Sequence, residues 1–69
     1  MMTVPDHIAR VIREKAELEE RLGKLLAFFQ SPKFNELPAI DRSLLRSQAR
    51  CMDGYAAILK ERLALHGAA

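Results

Sequence analysis

The chain has 69 residues, of which 49% are hydrophobic, 29% charged and only 6% aromatic, with a formal net charge of +2. A chain this short has material for one domain (1–69) and one core. It buries only about 60% of the surface its unfolded form exposes, so self-association is the expected remedy for marginal stability. The single cysteine, Cys51, excludes an internal disulfide and a paired-thiol zinc site, and the near-balanced charge is far from that of a nucleic-acid coat.

The start, Met1-Met2-Thr3-Val4-Pro5-Asp6, carries neither a cationic nor an apolar leader segment, so no signal peptide is expected. No apolar run approaches the roughly 20 residues of a membrane span, and a soluble intracellular protein is the expectation. Ile8, Val11, Lys15, Leu18, Leu22, Leu25 and Phe29 then alternate at spacings of three and four, a heptad seam on one helix face. Ile12, Ala16 and Leu26 widen it into a broader stripe. The reading is a long helix over about 5–29, capped by Thr3, with Pro5 and Asp6 in its first turn. Glu17 with Arg21 and Glu20 with Lys24 are supporting pairs four residues apart, and Gly23 is an internal cost.

Ser31-Pro32 ends this helix, and Ser31 is placed to cap a short helical turn over about 31–37. Pro38 marks the next boundary. Leu45, Ala49, Met52, Ala56, Leu59 and Leu63 repeat the alternation through a second long helix, about 39–65, with Asp41 in its first turn and Gly67 as its stop. Gly54 reads as a point of close backbone approach. The fold class is therefore all-α: an antiparallel hairpin of two long helices with a short connecting turn. Ile12, Leu26, Phe28, Leu44 and Ile58 exceed what one hairpin buries, and a second copy is the simplest cover for them, giving a homo-oligomeric helical assembly.

Catalysis is poorly supported. His7 and His66 lie near opposite ends of the chain, and no serine–histidine–acid or cysteine–histidine set stands at readable spacing. Glu14, Glu17, Glu19 and Glu20 lack the Glu-x-x-His pattern of carboxylate metal bundles and read as a solvated face. Cys51 reads as a small buried apolar group. No catalytic residue, metal or cofactor is assigned, and the chain is read as not an enzyme. Binding has more to rest on. Arg42, Arg46 and Arg50 repeat every four residues, a guanidinium ridge suited to phosphate or, more simply, to pairing with the acidic first helix. Arg10 and Lys24 lie about 21 Å apart along a helix axis, so they converge on one small ligand only across two antiparallel copies. Lys15, in the seam, is read as setting helix register. Tyr55 is an edge-of-core residue with its hydroxyl at solvent, or else a base-stacking or phosphate-contacting group. Phe28, Phe29 and Phe34 form a plug at the connection, and a stacking role needs one of them exposed.

The run His7-Ile8-Ala9-Arg10-Val11-Ile12-Arg13-Glu14-Lys15-Ala16-Glu17-Leu18, continued by Leu22 and by Lys24-Leu25-Leu26-Ala27-Phe28-Phe29, resembles the small phage anti-CBASS proteins, which antagonise cyclic-oligonucleotide anti-phage signalling in bacteria. Leu37, Leu44, Leu45, Gln48, Met52, Tyr55, Leu59 and Arg62 extend the likeness over about 5–65. The resemblance implies a sponge: a homohexamer that holds cyclic dinucleotides between protomers, and in some members cyclic trinucleotides near a three-fold axis, without cleaving them. It places the protein in the cytoplasm of the bacterial host, in a host–virus interaction, with no membrane and no DNA as partners. It assigns Lys24 to the dinucleotide, Arg10 and Tyr55 to assembly or binding, and Arg62 to a trinucleotide pocket. Related proteins carry an early aromatic where Ala9 stands here, leaving His7 as its substitute. Two alternatives compete: a hairpin dimer that binds nucleic acid through Arg42, Arg46 and Arg50, and a plain assembly or adaptor protein.

Overall fold

The computed structural model describes residues 4–67, and the Thr3 cap falls outside them. Three helices follow in order: α1 (Asp6–Phe28), α2 (Pro32–Glu36) and α3 (Ala39–Leu65). Pro5 stands at the cap position of α1 with no side-chain cap, and its carbonyl accepts from the amides of Ile8 and Ala9. Asp6 and Asp41 place carboxylates in the first turns of α1 and α3, opposite the positive end of each helix dipole.

The corner between the long helices is built by one serine. Ser31 Oγ donates to the Phe28 carbonyl at 2.8 Å and accepts from the Phe34 amide at 3.4 Å, which ties the end of α1 to the start of α2. Pro32 suits the first turn of α2, where no amide is needed. At the far end Gly67 adopts φ +70, the left-handed conformation that closes α3 after Leu65, as its sequence position predicts.

Helices α1 and α3 pack antiparallel along their lengths, giving a rod of 52 × 17 × 14 Å. Ile8, Val11, Leu18, Ala56, Leu59 and Leu63 form one buried cluster, with Met52 packed against it; Leu22, Phe34 and Ala49 are also buried. Every one of these except Phe34 is a predicted seam position. Lys15, the charged member of the seam, is half-buried with its ammonium held by both oxygens of Glu19 at 3.0 Å. It avoids an unpaired buried charge by snorkelling to a neighbour one turn on.

Ile12, Leu26, Leu44 and Ile58 remain exposed on the single chain, Leu44 at 61% and Ile58 at 56%, and Phe28 is half-buried. Three expectations need correction. Cys51 is exposed, because it stands one position before Met52 and so turns about 100° off the core face. Ala16 is exposed as well and does not widen the seam. Gly54 allows no close approach within the chain, since a Cβ there meets nothing within 4 Å.

Candidate functional site

The hairpin has two flanks, one on each side of the α1–α3 contact. On the first, an open groove of about 390 Å³ runs between the helices near the corner, lined by Leu22, Leu26 and Phe29 from α1 and its end and by Arg46, Ala49, Arg50 and Asp53 from α3. That volume sits in the lower range of small-molecule sites. Its wall on the α1 side is wholly apolar, and the α3 side supplies two guanidinium groups and a carboxylate. Phe34 fixes part of this arrangement. It is 1% exposed, packs edge-on to Phe28 (5.8 Å) and tilted against Phe29 (4.9 Å), and lies under the Arg46 guanidinium at 5.3 Å. The expected aromatic plug is therefore present, and it also orients an arginine.

The arginine ridge does not pair with the acidic helix. Among the described residues the ion pairs run within α1, between Lys15 and Glu19, Arg21 and Glu17, and Lys24 and Glu20. Arg42, with Arg46, Ala39 and Ser43, lines a second recess of about 360 Å³ at the start of α3, and its Nε is buried without a partner. None of the three ridge arginines has a carboxylate partner among the described residues.

The second flank carries Tyr55. Its hydroxyl donates to Glu14 Oε1 across the two helices instead of pointing to solvent as expected. That hydrogen bond is the main reason the phenol is raised above its ordinary 10.0; partial desolvation and the Glu14 charge act the same way, while the positive charge of Arg62 opposes them. Arg10 lies one turn before Glu14 and Arg62 two turns after Tyr55, so these four residues share one flank in the outer half of the hairpin.

The other candidates sit elsewhere. Lys24 is exposed and pairs with Glu20 at 3.4 Å. His7 meets His66 edge to face at 5.8 Å, because the antiparallel fold brings the two ends of the chain together. Phe28 is half-buried against Phe34 and so presents only part of its ring. The structure therefore joins Tyr55 to Glu14 with the Arg62 charge nearby, sets Arg10 one turn from Glu14 on α1, and leaves Lys24, His7 and Phe28 at separate places along the rod. Of the groove residues, Leu22 and Leu26 read from the sequence as packing positions only, and Asp53 is singled out by no motif. The available signal was the four-residue spacing of Leu22 and Leu26 beside a ridge extended from Arg46 and Arg50 to Asp53. Among the described residues no group of three or more histidine, cysteine, aspartate and glutamate side chains is placed to hold a metal, and no described helix is long and apolar enough to cross a membrane.

Among known families, the model described as Sequestin matches residues 5–65. Neither the curated proteins nor the solved structures contain a match to this chain.

Proposed function

The chain belongs to the Sequestin family, and from that premise we propose that it sequesters cyclic di- and trinucleotide messengers without cleaving them. The family name is consistent with a protein that binds and withholds. The geometry adds a ligand chemistry: the observation that carries the reading is the groove in which an apolar wall of Leu22, Leu26 and Phe29 faces Arg46 and Arg50. A cyclic dinucleotide presents flat bases and two anionic phosphates. Stacking of a base on an aromatic ring, which Phe29 supplies here, contributes about 1–3 kcal/mol, and charge-assisted hydrogen bonds from guanidinium about 1.5–3 kcal/mol each.

In this reading the ligand lies between protomers of a homo-oligomer, a hexamer on the resemblance. One copy offers the groove, and a neighbour offers the flank with Arg10, Tyr55 and Arg62 or the exposed Lys24. Such shared pockets suit a cyclic ligand with internal symmetry, because each copy supplies the same groups to opposite halves. The protein would act in the bacterial cytoplasm as a phage counter-defence, lowering the free messenger in proportion to its own abundance.

Calorimetry against a cyclic dinucleotide, a cyclic trinucleotide and the linear dinucleotide tests this. Tight binding of a cyclic form with the ligand recovered intact supports sequestration; conversion to a linear product, or no binding at all, removes it. A second reading has one observation in its favour, the lack of any carboxylate partner for Arg42, Arg46 and Arg50 among the described residues. It predicts duplex or RNA binding that falls steeply with rising salt. Indifference to both ligand classes would point to an assembly or adaptor protein.

A further inference from the structure

We propose that His7 and His66 form a two-point site for a divalent transition-metal ion (zinc, nickel or copper) that clamps the open end of the hairpin. This rests on neither the messenger nor the homo-oligomer of the reading above.

The hairpin is fastened at one end by the Ser31 corner and its aromatic plug. At the other end the outermost buried contacts are Ile8 and Leu63, at 3% and 5% exposure. His7 precedes Ile8 in the first turn of α1, and His66 follows Leu63 by three positions as the cap residue of α3. Both backbones are held there. The Ile8 amide donates to the Pro5 carbonyl at 3.0 Å, and the His66 amide to the Leu63 carbonyl at 3.1 Å. Both imidazoles are exposed, so an ion reaches them from solvent without disturbing the core.

The two ring centroids are 5.8 Å apart, with planes at 84°. A zinc–nitrogen bond is about 2.0–2.1 Å and a ring centroid lies about 1.1 Å behind its nitrogen, so a tetrahedral ion holds two imidazoles with centroids about 5.2 Å apart. The observed pair needs to close by only about half an ångström to reach that spacing. Rotation of the exposed rings brings a nitrogen of each inward. The angle between the planes sets no further condition, because each ring turns freely about its metal–nitrogen bond. Water completes the coordination, since no third histidine, cysteine or carboxylate joins them among the described residues.

The surrounding charge selects the class of ion. Arg10, three positions after His7, and Arg62, four before His66, oppose a cation, and Asp6 is the one carboxylate beside them in sequence. An ion drawn by charge alone, such as magnesium or calcium, also requires oxygen ligands that this end of the rod does not assemble. Imidazole nitrogen suits zinc, nickel and copper. A metal is one of the devices by which small scaffolds gain stability. Here it would join the two ends of the sequence, and free ion at a hundred times its Kd raises the folding equilibrium constant about a hundredfold.

Zinc titration of the 69-residue chain, free of any histidine tag, tests the site. Calorimetry should give one ion per chain, and Tm should rise with zinc and not with magnesium. His7→Ala and His66→Ala remove exposed side chains, so helicity should persist. Each should weaken zinc binding about tenfold or more, and the double variant should be little weaker than either single one, because the gain comes from holding both ligands at once. Zinc affinity within about twofold of wild type in either single variant, or a zinc-dependent rise in Tm that survives in the double variant, would overturn the site. Sedimentation should show the same mass with and without zinc; a zinc-dependent increase would mean that the histidines ligate between copies and would overturn the clamp.

Discussion

Phe34 is the residue through which the corner, the core and the groove are coupled, and its replacement tests that coupling. It is 1% exposed and contacts Phe28, Phe29 and the Arg46 guanidinium. Truncation to alanine removes a buried aromatic ring, at a cost of about 3–5 kcal/mol. A 69-residue chain at typical stability per residue has about 3–10 kcal/mol in total, so Phe34→Ala should be largely or wholly unfolded near its lower bound and lose tens of degrees in Tm at its upper. Phe34→Leu keeps most of the buried apolar area and loses the two aromatic pairs and the cation–π contact, about 0.5–1.5 kcal/mol for each. Urea denaturation followed by far-ultraviolet dichroism, at fixed protein concentration because association would add to apparent stability, measures both. The leucine variant should fold yet bind any anionic ligand of the groove more weakly, since Arg46 loses its platform. If Phe34→Ala lay within about 1 kcal/mol of wild type, the corner would contribute little to holding α1 against α3, and the argument from burial would fail.

Other outcomes follow from single sites. Gly23 is exposed, helical and has nothing within 4 Å of a would-be Cβ, so Gly23→Ala should stabilise by about 0.8–1 kcal/mol in the same assay. Tyr55 is the only tyrosine and there is no tryptophan, so phenolate absorbance reports it alone. Its titration should lie above 10.0 in the folded chain and move back toward 10.0 in Glu14→Gln. Because the folded value is raised, the Tyr55–Glu14 contribution to stability is fully present below pH 10 and is lost as pH rises through the folded value. Lys24→Ala should keep helicity and oligomer size and weaken cyclic-dinucleotide binding, whereas unchanged calorimetric affinity would remove Lys24 from the site. Arg50→Ala, which touches the groove but not the core, should weaken an anionic ligand there about ten- to a hundredfold.

The helices were readable because their signals are local. Heptad spacing placed the buried positions, and Pro5, Ser31-Pro32, Pro38 and Gly67 placed the boundaries to within a residue or two. The site was readable only in part because its contacts are not local. Nothing in the spacing of Glu14 and Tyr55 announces a hydrogen bond between residues 41 positions apart. His7 and His66 look remote in sequence and become neighbours only through the antiparallel turn. Cys51 departs from expectation for a different reason: its residue type suggests burial, but its phase on the helix decides, and the phase points outward. The groove is not legible in the sequence because Leu22 reads as a core position and Arg46 and Arg50 as a surface ridge, whereas the cavity lies where those two faces meet.

The Ser31 corner also bears on how quickly the chain can reach this shape. Only ten residues separate the last turn of α1 from the first of α3, and closing a connection of that length takes on the order of 10–100 ns. Contacts between the long helices can then form pair by pair outward from the bend, each new one adjacent to those already made. A topology with so short a connection belongs among rapid folders, on the microsecond-to-millisecond scale. Amide exchange should be slowest around the buried cluster of Leu18, Ala56 and Leu59 and fastest at the helix ends.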